Sequence, residues 1–250
     1  MADSLEASQA VAIGLQLNGT IITNTTIGMA TVSAGISCPE VVGSYLITVK
    51  TNSTLRLVSR ATIAFSFGNV NAALTAINGQ NAQLTIFRLH PLSKNSINNC
   101  SRCLNAPSAG TFGTASQTAL ATNTVINLTQ QVLVGTSISF TSPNTINLES
   151  GDYIVNYALV GNPGSTTAET TIVGLQLNGM IITQSSIGHS SGPSSPNDYL
   201  EATGSYLITI NTNSTLQLVT LSSLVYNNAT VNAFFTAQNV QTAQLTIFKL

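Results

Sequence analysis

Apolar and polar residues alternate along much of the chain with a period of two. Val173, Leu175 and Leu177 share one face of a segment whose other face carries glycine and glutamine. Successive side chains of an extended strand point to opposite faces, so this alternation is typical of β-strands. Turn-forming pairs such as Asn178–Gly179 recur at intervals of roughly 8–12 residues, and no window of about a dozen residues shows a helical stripe. The pattern predicts an all-β fold, an antiparallel two-sheet sandwich almost without helix.

Two parts of the chain repeat each other. GLQLNGTIITNTTIG at 14–28 recurs as GLQLNGMIITQSSIG at 174–188, and GSYLITVKTNSTLRLV at 43–58 recurs as GSYLITINTNSTLQLV at 204–219. About 38 of 62 aligned positions are identical, which indicates a tandem duplication. The predicted domains are an incomplete copy at 1–89, a linker at 90–112 and a complete copy at 113–250.

The first copy lacks a counterpart of Val132–Leu159, the segment that supplies opening strands to the second copy. Without those strands the segment Ala82–Leu89 would have an uncovered edge, which is an aggregation liability. We expect an incomplete first sandwich that is closed in part by Met1–Ala12, by Asn105–Leu120 or by another domain.

The C-terminal segment AQLTIFKL is apolar on both faces. Leu245 and Ile247 fall on one face, and Phe248 and Leu250 fall on the other. A strand of a solvated sandwich is expected to be polar outside, so the second face is predicted to meet another subunit. The alternative is an outward face that tolerates phenylalanine. Tyr206 is assigned to the core. Phe234 and Phe235 are adjacent in a predicted strand and are expected to point in opposite directions. The residues predicted for an oligomer interface are Phe234, Phe235, Ile247, Phe248 and Leu250.

Composition points toward association. Charged residues make up 6% of the 250 residues and the formal net charge is −1. Soluble monomers usually carry about a quarter charged residues, so little charge repulsion opposes contact between subunits here. The weak charge argues against a nucleic-acid partner. No stretch of about 18 apolar residues predicts a membrane span, and the N-terminal MADSLEASQ does not resemble a signal peptide.

Residues suited to catalysis or metal binding are few. With only two histidines, a hydrolytic triad would have to use His189 or His90, and both are interpreted as loop or linker residues. Glu149 and Asp152 are interpreted as the solvated charges of a tight turn, with a weak calcium contact as the alternative. Cys100 and Cys103 suggest a plain loop, a crosslink to another chain or half of a zinc site. The sequence therefore predicts no enzyme, no cofactor and no metal.

Several of these segments resemble, in order, the strand motifs of the tumour-necrosis-factor-like (TNF-like) jelly roll. They are GDYIVNYAL at 151–159, GLQLNG, GSYLITINTNSTLQLV and the terminal AQLTIFKL. The chain is similar to the C-terminal domain of BclA-type collagen-like glycoproteins of the exosporium, although it carries no collagen triplets.

The resemblance implies a ten-stranded sandwich and a threefold trimer built around the sheet that carries the first and last strands. It also implies a structural or adhesive role on a spore surface or another extracellular surface. The alternative is a carbohydrate- or receptor-binding jelly roll, such as a lectin or phage fibre, with a glycan or host-surface ligand. For such a binding site, Tyr199 and Tyr226 are the aromatic residues that lie in predicted loops. An enzyme on a cupin-like scaffold is disfavoured because it needs several histidine ligands.

Overall fold

A computed structural model describes residues 9–31, 41–49, 51–60, 86, 107–164, 169–191 and 199–250. Its elements are fourteen strands and one helix within these ranges. In chain order they are β1 Gln9–Leu17, β2 Thr20–Thr31, β3 Leu55–Ser59, β4 Ala109–Thr114, β5 Thr124–Val125, β6 Thr129–Val134, β7 Ile138–Thr141, β8 Thr145–Leu148, β9 Gly151–Gly161, β10 Glu169–Leu177, β11 Met180–Ser191, β12 Leu200–Ile210, β13 Ser214–Thr220, α1 Ala229–Gln238 and β14 Ala243–Lys249.

The second copy forms two antiparallel sheets. One has the order β12-β9-β14-β4-β6, and the other has the order β11-β10-β13-β8-β7 with β5 beside β13. The earliest strand of the first of these sheets, β4, lies next to the last strand of the chain, β14. This arrangement confirms the expected all-β class and the antiparallel two-sheet jelly roll.

The core lies between these two sheets. Alternate residues of β9, including Tyr153, Val155 and Leu159, are at most 1% exposed and point into it, as the period-two pattern predicts. Leu175 of the opposite sheet is completely buried among the same residues. Each such side chain contributes about 1.5–3 kcal/mol on removal from water.

The first copy forms the three-stranded sheet β2-β1-β3. Its pairing repeats that of β11-β10-β13: Leu15 lies opposite Ile22 as Leu175 lies opposite Ile182, and each pairing has an irregularity just before that leucine. The backbone amide of Leu15 donates to the hydroxyl of Thr25 over 2.8 Å. The repeated sequence thus forms the same local structure here.

The other repeated motif has two different conformations. GSYLIT at 204–209 belongs to β12 and pairs with β9. GSYLIT at 43–48 lies within 41–49, which is assigned to no helix or strand. Since the two hexapeptides have the same sequence, the residues that surround each copy decide which conformation it adopts.

Helix α1 corrects the prediction for Phe234 and Phe235. Instead of pointing oppositely from a strand, both belong to this ten-residue helix, with Phe235 buried beside Val231. The side chain of Asn228 caps the helix by accepting from the amides of residues 230 and 231. The spacing of Val231 and Phe235 by four residues was the signal for one buried helical face.

Several predictions fall outside the described residues. These concern Cys100, Cys103, His90 and the edge at Ala82–Leu89, of which only Ile86 is described, with 64% of its surface exposed. The division into domains stays a prediction, and β4 already begins at Ala109, inside the range suggested for the linker.

Candidate interface on the five-stranded sheet

An apolar row crosses the outer face of the five-stranded sheet, one residue from each strand. Directly paired residues of antiparallel strands point to the same face, so the pairing fixes the row. From β12 to β6 its members are Leu207, Ile154, Phe248, Ala109 and Val134. Leu207 is 62% exposed and Val134 is 37% exposed, so the row contacts solvent at both ends.

The neighbouring row on the same face is polar. Ser205 lies opposite Asn156, Asn156 opposite Thr246, and Thr246 opposite Thr111. Thr246 and Thr111 are completely buried although they point away from the core. Something must therefore cover this row.

The cover is the segment 41–49 of the first copy, which crosses the strands. The Leu46 amide donates to the Thr111 hydroxyl over 3.0 Å. The Thr246 hydroxyl donates to the Ser44 carbonyl over 2.7 Å. Because the single hydroxyl proton of Thr246 is used there, Thr111 must be the donor in the 3.3 Å contact between the two threonines. Together the three hydrogen bonds link the Leu46 amide, through the two threonine hydroxyls, to the Ser44 carbonyl. The series therefore begins and ends in the segment.

Two further contacts hold the start of the segment. The Ser44 amide donates to the side-chain oxygen of Gln244 over 3.2 Å. The Val42 amide lies 3.3 and 3.4 Å from the two carboxylate oxygens of Glu201. The segment therefore runs from β12 over β9 and β14 to β4.

A cleft of about 340 Å³ lies where this segment meets the sheet. Gly43 and Ser44 border it on one side, and Gly204 and Ser205, their counterparts in the repeat, border it on the other. Gly204 is required by close packing, since a Cβ there would lie 2.5 Å from the Tyr157 ring. The two copies of the motif thus meet across one cleft.

The five residues predicted for an interface lie in different places. Ile247 and Phe235 are completely buried in the core of the chain, and Phe234 is partly buried against it. Phe248 is partly buried in the apolar row, and Leu250 is 70% exposed. Their part in assembly stays a prediction, and among the five only Phe248 and Leu250 present surface on the outer side of β14.

Four residues of the row were missed by the sequence analysis: Leu207, Ile154, Ala109 and Val134. A signal for Leu207 was available, because Tyr206, Leu207 and Ile208 are consecutive and apolar and must cover both faces of β12. Tyr206 packs against the core as predicted.

The described side chains of Glu149, Asp152 and His189 each contact other groups. Glu149 is 4.0 Å from the ammonium group of Lys249, and Asp152 accepts from Thr209 over 2.7 Å. His189 is exposed and its Nδ1 lies 3.0 Å from a backbone carbonyl oxygen. Within the described ranges no three His, Cys, Asp or Glu residues lie close enough to share a metal ion. In the same ranges no helix is long and apolar enough to cross a membrane.

The tyrosines are structural in this region. Burial raises the pKa of Tyr153 to about 12 and also raises the pKa values of Tyr157 and Tyr199. They stay protonated near neutral pH and act as hydrogen-bond donors, as when Tyr199 donates to Asn232 over 2.6 Å. Tyr199 and Tyr226 lie outside the named strands and the helix, as predicted, but they are at most 5% exposed and so offer little aromatic surface to a carbohydrate.

No protein-family model and no curated protein matches the sequence. Solved structures overlap part of it. Murine APRIL at pH 5.0 matches over 58% of this chain and 99% of its own, with 9% identity and a TM-score of 0.41. Pika GITRL covers 58% and 95%, with 13% identity and a TM-score of 0.34. The PRD1 vertex protein P5 covers 57% and 96%, with 17% identity and a TM-score of 0.34.

The strand order itself agrees with the coarser part of the resemblance, a TNF-like jelly roll. The finer part, an exosporium protein of the BclA type, stays a prediction.

Proposed function

We propose that the chain is a non-enzymatic structural or adhesive module that assembles with copies of itself through the outer face of the five-stranded sheet. The observation that carries the proposal is the apolar row of Leu207, Ile154, Phe248, Ala109 and Val134. Four of its five members expose apolar surface, while Ala109 is completely buried, and such a surface favours contact with a second protein over water.

A second copy of the chain is the occupant that the physical evidence supports. With 6% charged residues, each copy offers little repulsion to another. Leu250 extends the apolar surface beyond β14, since its amide bonds to the carbonyl of Asp152 over 2.9 Å and its side chain is 70% exposed. Removal of such side chains from water gives about 25 cal/mol per Å² of apolar surface.

We further propose that the assembly is a trimer at a bacterial spore or cell surface, which rests on the family resemblance. Immunogold labelling of intact spores and cells with an antibody against the chain tests the location. Label confined to the cell interior would contradict it.

Sedimentation equilibrium of the full chain at micromolar concentration tests assembly. We expect a mass of three times the 26.0 kDa of one chain. Leu207→Asp places a charge in the row and is expected to reduce the mass toward that of one chain. Met180→Asp is the matched control, because Met180 is 75% exposed but lies on the other sheet. A monomeric natural chain would contradict the proposal, and a stable dimer would contradict the trimer.

A further inference from the structure

The cleft between the two copies of the repeated motif has the size of a small ligand site. Its volume of about 340 Å³ lies at the lower end of the range for pockets that hold small molecules. Val42 and Ile187, which are 45% and 40% exposed, line it and are accessible to solvent. The site is thus open to a ligand from solution.

The polar lining is neutral. The amides come from Asn156 and Gln244, and the hydroxyls come from Ser44, Tyr157, Thr203 and Ser205. The Tyr157 hydroxyl already donates to the Ser185 carbonyl. None of the described lining residues carries a charge. Phosphorylated or ionised ligands would lose hydration here without gaining an ion pair, so the lining selects against them.

Gln244 supplies a donor at the cleft. The residue is 3% exposed, and its side-chain oxygen is identified by the bond that it accepts from the Ser44 amide. Its amide nitrogen therefore takes the other position, and the described part of the chain provides no acceptor for it. A ligand oxygen in the cleft would satisfy this donor.

Asn156 supplies the complementary acceptor. Its amide nitrogen is 3.4 Å from the Ser44 hydroxyl, to which it donates. Its oxygen can accept a hydrogen bond, and the residue lines the same cleft. Ser205 and Thr203, on β12, add hydroxyls that both donate and accept.

We propose that this cleft binds one neutral sugar unit. Adjacent hydroxyls of a sugar both donate and accept, which matches the amide nitrogen of Gln244 and the amide oxygen of Asn156. The C–H face of the sugar ring would lie against Val42 and Ile187. This activity goes beyond self-assembly and does not depend on it.

Saturation-transfer difference NMR on the full chain tests the proposal, because it observes the ligand whatever the mass of the protein. The probes are the methyl glycosides of glucose, galactose, mannose and N-acetylglucosamine, with glycerol as the comparison. We expect at least one glycoside to bind saturably with a dissociation constant on the order of 1 mM. Glycerol should give no saturable signal.

Ser205→Leu fills the cleft and is expected to lower the affinity at least about tenfold. Thr203→Leu is a second variant with the same expectation. Ser139→Leu is the matched control, since Ser139 is an exposed strand residue of the other sheet, and its affinity should stay within about twofold of the natural chain.

Three results would overturn the sugar site: no saturable glycoside, an equal response to glycerol, or natural affinity in both cleft variants. Sedimentation of the same samples reports assembly independently. If a variant no longer binds the glycoside but keeps the sedimentation mass of the natural chain, the loss of binding arises in the cleft and not at the subunit interface.

Discussion

Thr246 on the last strand donates a hydrogen bond from its hydroxyl to the backbone carbonyl of Ser44, 2.7 Å away. The two residues are 202 positions apart, one in each copy of the repeat. The bond places segment 41–49 of the first copy on the outer face of the five-stranded sheet of the second. Segment 41–49 covers the polar row of this face, and the neighbouring apolar row is the one that we propose for contact with another copy of the chain.

Thr246→Val is expected to loosen the segment. The variant keeps the shape of the side chain but removes the donor to Ser44, and the Thr111 hydroxyl then loses its acceptor. An unsatisfied buried polar group costs about 1–3 kcal/mol. Native-state hydrogen exchange should show faster exchange at the Leu46 amide, and Thr129→Val on the exposed part of β6 serves as the control. Unchanged protection at Leu46 would show that the bond does not hold the segment.

Gly204→Ala and Gly43→Ala form a matched pair in the repeated motif. A Cβ at residue 204 would lie 2.5 Å from the Tyr157 ring, whereas at residue 43 its nearest neighbour would be an Ile27 methyl carbon at 3.2 Å. Overpacking of this kind costs about 1–3 kcal/mol, so the variant at 204 should unfold at lower urea concentration than the variant at 43. Equal midpoints would refute the role of Gly204 as a packing glycine.

The strands were predictable because each one carries its own alternation. Tyr153, Val155 and Leu159 point into the core simply because every second residue of β9 does. Helix α1 was missed because it has few apolar residues. Two of them are adjacent phenylalanines, which fit a strand that is apolar on both faces equally well. The capping side chain of Asn228 resembles a turn residue until the backbone beyond it is known.

The candidate interface was predictable only in part. The sequence places Phe248 on the outer side of β14, but the row depends on which residues of five strands lie side by side. Register of this kind arises from pairing between distant segments, such as Leu207 opposite Ile154. The motif GSYLIT crosses the sheet at 43–48 but forms part of a strand of that sheet at 204–209. The sequence of the motif alone does not determine this difference.

Alkaline pH is expected to destabilise the fold. Burial raises the pKa of Tyr153 from 10.0 to about 12, so the folded chain holds this proton more tightly than the unfolded chain does. The contribution of this pKa difference to the free energy of unfolding is complete below pH 10 and is lost as the pH rises toward 12. Urea midpoints measured across this window should fall, and Tyr153→Phe should make the fall less steep. An equally steep fall in the variant would assign the loss to other groups.

Asn228→Ala is expected to destabilise the chain by about 1 kcal/mol through loss of the cap of α1. The Asn228 side chain accepts from the amides of Thr230 and Val231 over 3.0 and 3.1 Å. Asn213→Ala, at an exposed residue between two strands, is the control and should be neutral. Thermal unfolding followed by circular dichroism measures both, and equal melting temperatures would contradict the capping role.

Neighbouring residues of β14 are expected to have opposite roles. Ile247 is completely buried in the core, so Ile247→Ala should cost about 2–5 kcal/mol of unfolding free energy. Phe248 points to the other face and lies in the apolar row, so Phe248→Ala should cost much less stability and should instead reduce the mass found by sedimentation. Urea unfolding in dilute solution separates the two effects. If Phe248→Ala leaves the mass unchanged while Leu207→Asp lowers it, the subunit contact would have to lie on the β12 side of the sheet.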